Sequence, residues 1–209
     1  MTKRGSYETG VSRRAAIVAA ALEQFGESGY HGTSLRAVAA RSGMSHPGLL
    51  HHFDSKADLL RAVLEERDRQ TRHEFFKEST EPLEYLRGVV ALTDSNTHQK
   101  GILELFCVLS AEATSLSHPA HSYFVERYRA VRGSMAAAFS ALQSDGRLRA
   151  GIDPTDAATS LIALEDGLQV QWLLEPEIID MTAATREAIQ GLLTVDLESG
   201  LPLPDSVST

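Results

Sequence analysis

The sequence predicts an all-α protein of nine helices, and three observations support this. Apolar residues recur at helical spacing along nearly the whole chain, as in Ile17, Ala21 and Phe25. The chain has no run of alternating Val, Ile and Thr bounded by hairpin turns, which a β-sheet would require. Helix-breaking residues also divide the chain into segments of helix length, above all Pro82, Pro119, Pro154 and Pro176.

The first helix is expected over residues 12–27, because Ser28 and Gly29 together form a common C-terminal stop signal. A second helix begins a few residues later. Thr33 or Ser34 is expected to cap it, since a hydroxyl oxygen can accept a hydrogen bond from an N–H group of the first turn.

A sharp turn and a short third helix follow. Gly43 can adopt positive φ, which lets the chain turn before Ser45 caps helix 3. Pro47 stands at the start of that helix, where a missing N–H costs nothing. Asp54 or Ser55 then caps a long fourth helix.

Five more helices are expected after the fourth. They are placed near residues 81–95, 99–114, 119–146, 154–174 and 179–196, and their ends carry an uncertainty of a few residues. The tail from Gly200 to Thr209 contains two prolines and is expected to be frayed.

Composition favours a cytoplasmic protein with no cofactor. The 209 residues include 43% hydrophobic ones, enough for a sizeable core without metals or disulfides. Cys107 is the single cysteine, so no intrachain disulfide forms and a reducing compartment fits best. No apolar stretch is long enough to cross a bilayer, so no membrane partner is expected.

The charge is divided unevenly along the chain. The net charge is −8, yet residues 1–56 contain seven Lys and Arg against four Asp and Glu, and residues 57–209 are strongly acidic. This asymmetry predicts a small unit that faces a polyanion, attached to a larger acidic body. We accordingly expect an N-terminal domain over residues 1–54 and a C-terminal domain over residues 55–209.

Two short helices joined by a glycine-containing turn are typical of a DNA-reading helix-turn-helix. The run TSLRAVAARSGMSHPGLLHHFDSKADLL, residues 33–60, closely resembles the N-terminal signature of TetR-family regulators. The resemblance covers about residues 12–64. It implies a TetR-like fold, in which three N-terminal helices bind DNA and the remaining helices bind a ligand and dimerise.

The resemblance implies which residues read the bases of double-stranded operator DNA. His46, Pro47 and Gly48 of helix 3 fall where base edges and thymine methyl groups are contacted. Arg36 falls where a helix-2 residue reaches a base, and Ser45 begins the reading helix. An alternative interpretation treats Arg36 as an ordinary solvated surface charge.

A second set of residues is implied in phosphate contacts, which position the duplex without reading it. Thr33 or Ser34 would act at the start of helix 2, and Lys56 near the start of helix 4, although Lys56 also fits an ordinary surface position. His51 and His52, on helix 3 beside its apolar positions Leu49, Leu50 and Phe53, complete this set.

The sequence departs from the family pattern at Leu50, where the family usually has a tyrosine whose hydroxyl holds a phosphate. His51 and His52 are expected to substitute in part. DNA binding would then strengthen as the pH falls through the range in which histidines become protonated. Lys3, Arg4, Arg13 and Arg14 form either a flexible arm near the minor groove or a plain polar terminus.

The last two helices are expected to form a homodimer interface, as the resemblance implies. Small residues at i, i+4 in the first of them allow close helix approach, although packing within one subunit is an alternative. The expected interface residues are Ile162, Ala163, Asp166, Gly167, Val170, Ile189 and Leu193.

A small-molecule effector of unknown identity is expected inside the bundle of helices 4 to 8. Each candidate also fits ordinary core packing. The expected lining residues are Phe75, Leu103, Phe106, Cys107, Tyr123, Tyr128, Met135, Gln169 and Trp172.

The resulting hypothesis is a repressor that an effector releases from a palindromic operator, with helix 4 as the mechanical link. The competing class is an α-helical enzyme that uses Cys107 with His98 or His121 as nucleophile and base. No oriented third group, phosphate loop or metal-ligand spacing accompanies these residues, and no metal is expected.

Overall fold

The computed structural model describes the backbone of residues 4–76 and 81–203, and side chains from residue 12 onward within those ranges. No strand occurs in these ranges, only two isolated β-bridges, so the predicted all-α class is confirmed. The helices are α1 (Arg4–Gly32), α2 (Leu35–Arg41), α3 (His46–Leu50), α4 (Lys56–Phe75), α5 (Pro82–Thr97), α6 (Lys100–Glu112), α7 (His121–Ser144), α8 (Pro154–Leu174) and α9 (Met181–Leu192).

The predicted caps and turn of the helix-turn-helix are present. Ser34 Oγ accepts a hydrogen bond from the Ala37 N–H at 3.1 Å, so Ser34 is the cap of α2. Ser45 Oγ accepts from the Gly48 N–H at 3.1 Å and caps α3. Gly43 adopts φ 68°, the left-handed conformation that the turn requires.

The predicted stop signal at Ser28-Gly29 is confirmed, because Gly29 leaves the helical conformation with φ 67° and ψ 174°. A further helical stretch continues from this kink to Gly32. The predicted start of the first helix was wrong, since α1 begins at Arg4. The third helix ends at Leu50, and the Phe53 N–H still donates to the Leu49 carbonyl at 3.1 Å.

The chain divides into two compact units. The first unit contains the residues up to 70 together with 99–124, and the second contains 71–98 with 125–209. Helix α6 therefore clusters with the helix-turn-helix, although it lies within the C-terminal domain expected from the sequence. The expected boundary at residues 54 and 55 stays a prediction.

The first unit is organised around α1. Ile17, Ala21 and Phe25 are fully buried and form part of the core with Leu49 and Leu59.

Helix α1 also packs closely against α6 through two glycines. A Cβ atom on Gly101 would lie 2.4 Å from the carbonyl oxygen of Gly26, so only glycine allows this approach.

The second unit has its own core, built from α5, α7, α8, α9 and the segment after α9. Val195 and Leu197 of that segment are buried, and the Arg87 guanidinium donates to the carbonyl oxygens of Leu197 and Glu198 at 2.9 and 2.8 Å. These contacts hold the segment against α5.

The expectation of a frayed tail was wrong for residues 200–203. The Leu203 N–H donates to the Thr194 carbonyl at 3.1 Å, and the Asp196 N–H donates to the Leu201 carbonyl at 2.8 Å. Residues 204–209 lie outside the described residues.

Candidate DNA interface and small-molecule site

The short helix α3 is fixed by its cap and by one buried side chain. Leu49 is fully buried, and Val38 and Ala39 of α2 are buried against the same core. Pro47 on α3 and Arg36 on α2 are exposed, whereas His46 and Gly48 are half-buried. The buried residues therefore anchor both helices in the core, while the outer side of the helices presents polar and apolar groups.

Arg36 is the predicted base-reading side chain that the structure leaves most available. It is exposed, and it has no hydrogen-bond or ion-pair partner among the described residues. Arg41 of the same helix differs, because its guanidinium pairs with Glu27 at 2.7 Å and its pKa is raised mainly by that hydrogen bond. The two arginines of α2 thus have different environments, and only Arg36 is left for a ligand such as DNA.

The prediction that the Thr33 side chain contacts a phosphate was wrong. Thr33 is buried, and its hydroxyl lies 2.8 Å from the Gly29 carbonyl and 3.1 Å from the Gln24 carbonyl. Its role is to tie the kinked end of α1 to the start of α2. The neighbouring Ser34 is exposed and keeps the predicted position at the start of α2.

Lys56 is anchored within the first unit. Its Nζ lies 4.5 Å from the centre of the Tyr30 ring and donates to the His31 carbonyl at 3.4 Å. Burial lowers its pKa. Lys56 therefore joins the start of α4 to the end of α1, and its predicted phosphate contact stays a prediction.

The other expected phosphate-binding side chains follow directly after α3, where His51 is exposed and His52 is half-buried. Leu50, the departure from the family pattern, is the last residue of α3 and is 39% exposed. Arg14 of α1 covers Phe53, with its guanidinium carbon 4.8 Å from the ring centre.

The residues of the expected N-terminal arm are only partly described. Arg13 is exposed. The expected contributions of Lys3 and Arg4 fall on side chains outside the described residues.

Three of the expected dimer-interface positions are core positions of the chain itself. Ile162 is 8% exposed, and Ile189 and Leu193 are fully buried. Their side chains already pack within the second unit and leave no surface for a partner. We therefore correct the prediction at these three positions.

The other expected interface positions differ in exposure. Ala163 and Val170 are exposed, and Gly167 is half-buried with open space around it. Asp166 is half-buried and accepts a hydrogen bond from the Tyr128 hydroxyl at 2.8 Å, so its carboxylate serves the interior of the unit.

The expected ligand-pocket residues are divided between the two units. Leu103 and Tyr123 are buried in the first unit, where the Tyr123 hydroxyl donates to Asp68 at 2.8 Å. Phe106 packs edge-on against Phe124. Cys107 is a half-buried free thiol.

The remaining pocket candidates lie in the second unit. Met135 belongs to its core, and Phe75, Tyr128 and Gln169 are half-buried. Trp172 lines an open groove of about 650 Å³ between the end of α8 and the start of α9, where Asp94 of α5 also lies.

An acidic group inside the second unit was missed from the sequence. Glu165 of α8 lies opposite Thr93 of α5, with 3.3 Å between Oε1 and the Thr93 hydroxyl oxygen. Burial raises the pKa of Glu165 to about 8. The signal that would have found it is the pair Glu165-Asp166 in the middle of a largely apolar helix.

One histidine of the competing enzyme hypothesis already has a contact within the protein. His121 Nδ1 lies 2.7 Å from the Ala113 carbonyl oxygen. Within the described ranges, no group of three His, Cys, Asp or Glu side chains is arranged to hold a metal ion. No helix of the described chain is long and apolar enough to cross a membrane.

The capped pair α2 and α3, with an exposed arginine and a short reading helix on a buried support, defines a helix-turn-helix DNA-binding protein. Two family models match the chain. Residues 17–63 match the bacterial regulatory proteins of the TetR family, and residues 104–194 match the C-terminal part of BetI-type transcriptional repressors. The chain belongs to the TetR family and is a DNA-binding transcriptional regulator, as the sequence predicted.

Similar proteins cover nearly the whole chain. The transcriptional regulator TtgR of Pseudomonas putida is 27% identical over 191 residues, which are 86% of this chain and 87% of that protein. The regulator BetI of Burkholderia mallei is 29% identical over 197 residues, 90% of this chain and 94% of that protein.

Solved structures share the fold. SmeT, the repressor of the Stenotrophomonas maltophilia multidrug efflux pump SmeDEF, is 21% identical and covers 91% of this chain and 97% of its own, with a TM-score of 0.72. SmeT in complex with triclosan matches with a TM-score of 0.75 at 21% identity over 95% of this chain and 98% of its own.

Proposed function

We propose that this regulator is a cytoplasmic repressor that binds a palindromic operator as a homodimer and is released by a small-molecule effector. The observation that carries the proposal is the surface of α2 and α3, where Arg36 and Pro47 are exposed on capped helices that Val38, Ala39 and Leu49 anchor in the core. Arg36, Ser45, His46, Pro47 and Gly48 would read the bases.

Phosphate contacts would fix the duplex against this surface. Ser34, His51, His52 and Lys56 supply hydroxyl, imidazole and ammonium groups around α3, and these groups suit phosphate oxygens. Thr33 is left out because its hydroxyl is buried.

A homodimer is proposed through the exposed face of α8. Leu164, Val170 and Leu174 are 38%, 50% and 76% exposed, and they share that helix with the exposed Ala163. Large apolar side chains exposed along one helix favour burial by a partner. A two-fold partner would also place two reading helices in successive major grooves, about 34 Å apart.

The effector is proposed to bind in the second unit. The support is the presence there of half-buried aromatic side chains beside polar ones, which is the usual lining of a small-molecule site. SmeT, which has the same fold, is known in complex with triclosan.

Helix α4 is proposed to carry the signal to the DNA-binding surface. It begins in the first unit at Lys56 and ends in the second unit at Phe75. Because Lys56 is anchored to Tyr30 and His31, a shift of α4 would also displace the end of α1. The effector must prefer the released state by a few kcal/mol for substantial derepression.

Selection of binding sites from random double-stranded DNA tests this proposal. The full-length protein is expected to enrich a palindrome whose half-sites are centred about one helical turn, or a small multiple of it, apart. A footprint on the enriched DNA should protect both halves, and the bound species should be a dimer or a pair of dimers. Failure to enrich any sequence, or protection by one subunit of a single half-site, would contradict the proposal.

A further inference from the structure

The guanidinium of Arg14 lies against the helix-turn-helix, although the residue belongs to α1. Its central carbon is 4.8 Å from the centre of the Phe53 ring, and Arg14 itself is exposed. The negative face of an aromatic ring attracts a cation that lies over it. Arg14 is thereby held in one place, unlike a residue of a flexible arm.

Phe53 is a fixed support for this contact. Its side chain is 3% exposed, so the ring belongs to the core of the first unit. The Phe53 N–H donates to the Leu49 carbonyl at 3.1 Å, and Leu49 is itself fully buried. The position of the Arg14 guanidinium is consequently set by the end of α3.

Three other arginines of the first unit show what is particular to Arg14. Arg41, Arg61 and Arg69 each pair with a glutamate, at N–O distances of 2.7, 2.9 and 2.6 Å. Arg14 differs from them, because no ion pair or hydrogen bond of its guanidinium occurs among the residues that the structure describes. A guanidinium that lies on a ring keeps its N–H donors for another acceptor. The positive charge and the donors of Arg14 are therefore available to a ligand.

The surroundings of this guanidinium suit a phosphate group. His51 and His52, two of the proposed phosphate-binding residues, directly precede Phe53 in the chain. Leu50, one residue earlier, lacks the hydroxyl with which the family usually holds a phosphate. A guanidinium binds phosphate oxygens through two parallel N–H donors, and such charged hydrogen bonds are stronger than neutral ones. Arg14 thus offers a strong phosphate donor near the position where the usual tyrosine is missing.

We propose that Arg14 is a phosphate-binding residue of the DNA interface, and that Phe53 holds its guanidinium ready for the DNA backbone at the end of α3. The contact fixes the duplex against the reading surface and reads no base, because phosphates carry no sequence information. Each DNA-bound subunit contributes one such contact. The inference rests on the proposed function and adds a residue of α1 to its phosphate contacts.

The salt dependence of DNA binding tests the inference. Each phosphate contact releases counterions from B-DNA, so the slope of log affinity against log salt concentration loses about 0.9 in magnitude for each contact removed. Arg14→Gln removes the charge and keeps a polar side chain. We expect it to reduce the slope by about this amount for each bound subunit, and to weaken binding at least about tenfold. Fluorescence anisotropy of the full-length protein with the selected operator, between about 50 and 200 mM salt, measures both quantities.

Two further variants separate a phosphate contact from other effects. Arg61→Gln removes an equal charge from the first unit, at an arginine that is already paired with Glu65, and it should leave the slope nearly unchanged. Arg14→Lys keeps the charge without the planar donors, so it should retain the slope but lose part of the affinity. Circular dichroism verifies that each variant is folded.

Two results with folded variants would overturn the inference. A weaker affinity of Arg14→Gln with an unchanged slope would mean that Arg14 only supports the end of α3. Equal losses of slope in Arg14→Gln and Arg61→Gln would mean that any positive charge of the first unit acts alike.

A duplex of unrelated sequence separates this inference from the proposed function. Because a phosphate contact does not depend on sequence, Arg14→Gln should reduce the slope on this duplex and on the operator alike. A protein that selects no operator, but loses slope on the unrelated duplex in Arg14→Gln, supports the inference and contradicts the proposed function. A protein that selects an operator and keeps its slope in Arg14→Gln contradicts only the inference. A loss confined to A·T-rich DNA would place Arg14 in the minor groove and overturn the phosphate contact.

Discussion

The two units of the molecule differ in how their polar side chains are used. In the first unit, hydroxyl groups of Thr33, Ser34 and Ser45 satisfy backbone groups at helix ends and so fix the DNA-binding surface. In the second unit, Glu165 and Asp166 lie inside the helical bundle, where their pKa values are raised by burial. The comparison indicates that the first unit is organised for a fixed shape and the second for a change of charge.

The largest expected effect is a loss of stability caused by a substitution at the α1–α6 contact of the first unit. Gly101→Ala places a Cβ atom 2.4 Å from the Gly26 carbonyl oxygen, and backbone cannot yield as a side chain would. We expect the free energy of unfolding to fall by about 3 kcal/mol, measured by urea denaturation. Gly133→Ala on the exposed face of α7 meets nothing within 4 Å and is the control, with an expected gain of about 0.5–1 kcal/mol. Equal stability of the two variants would contradict the close α1–α6 contact.

The next effect concerns DNA reading by the first unit. Arg36→Ala should weaken operator binding by about 1–3 kcal/mol, because the exposed guanidinium is expected to read a base. Stability should change by less than about 0.5 kcal/mol, since Arg36 has no partner among the described residues. Fluorescence anisotropy with the selected operator measures the affinity, and Arg129→Ala on exposed α7 of the second unit is the control. If both variants bind alike, Arg36 is an ordinary surface charge.

A third prediction concerns the ionisation of Glu165 in the second unit. The pKa of Glu165 is about 8 in the folded protein, against an ordinary value of 4.5. Between pH 4.5 and pH 8 the folded state therefore binds more protons than the unfolded state does. The stability contribution of Glu165 is therefore present at low pH and is lost as the pH rises from 4.5 to 8. The side chain of Glu165→Gln does not ionise, so this variant keeps its stability as the pH rises. Its free energy of unfolding should exceed that of the natural protein by roughly 2 kcal/mol at pH 8.5 but by little at pH 5.

Thermal unfolding of both proteins across this pH range measures the difference. A stability difference that does not vary with pH would show that Glu165 is ionised in the folded protein.

The smallest expected effect comes from a substitution that restores the family's tyrosine in the first unit. Leu50, the last residue of α3, is 39% exposed, and Leu50→Tyr supplies a hydroxyl for a phosphate oxygen. Operator affinity should rise by about 0.5–1.5 kcal/mol, the usual net value of a hydrogen bond. Affinity should also depend less on pH if His51 and His52 now share the task. A lower affinity in the anisotropy measurement would mean that Leu50 itself makes a favourable contact.

Local signals explain which parts of the fold were predictable. Ser34, Gly43 and Ser45 act through hydrogen bonds or backbone angles within a few residues, so the sequence alone placed them correctly. The later helices followed from prolines and apolar spacing for the same reason.

The errors came from contacts that no pattern in the sequence marks. Thr33 was expected at the surface, but its hydroxyl turns inward to the carbonyl oxygens of Gly29 and Gln24. Ile189 and Leu193 were expected at an interface, and only the packing of α9 on α5 and α8 shows that they are core. Glu165 was missed because its partner Thr93 lies 72 residues away.

Footprinting of the selected operator with the natural protein and with Arg36→Ala tests the central claim, that the surface of α2 and α3 reads operator DNA. The natural protein is expected to protect both halves of the palindrome, whereas Arg36→Ala at the same concentration should lose most of this protection. Equal protection by the two proteins would contradict the account.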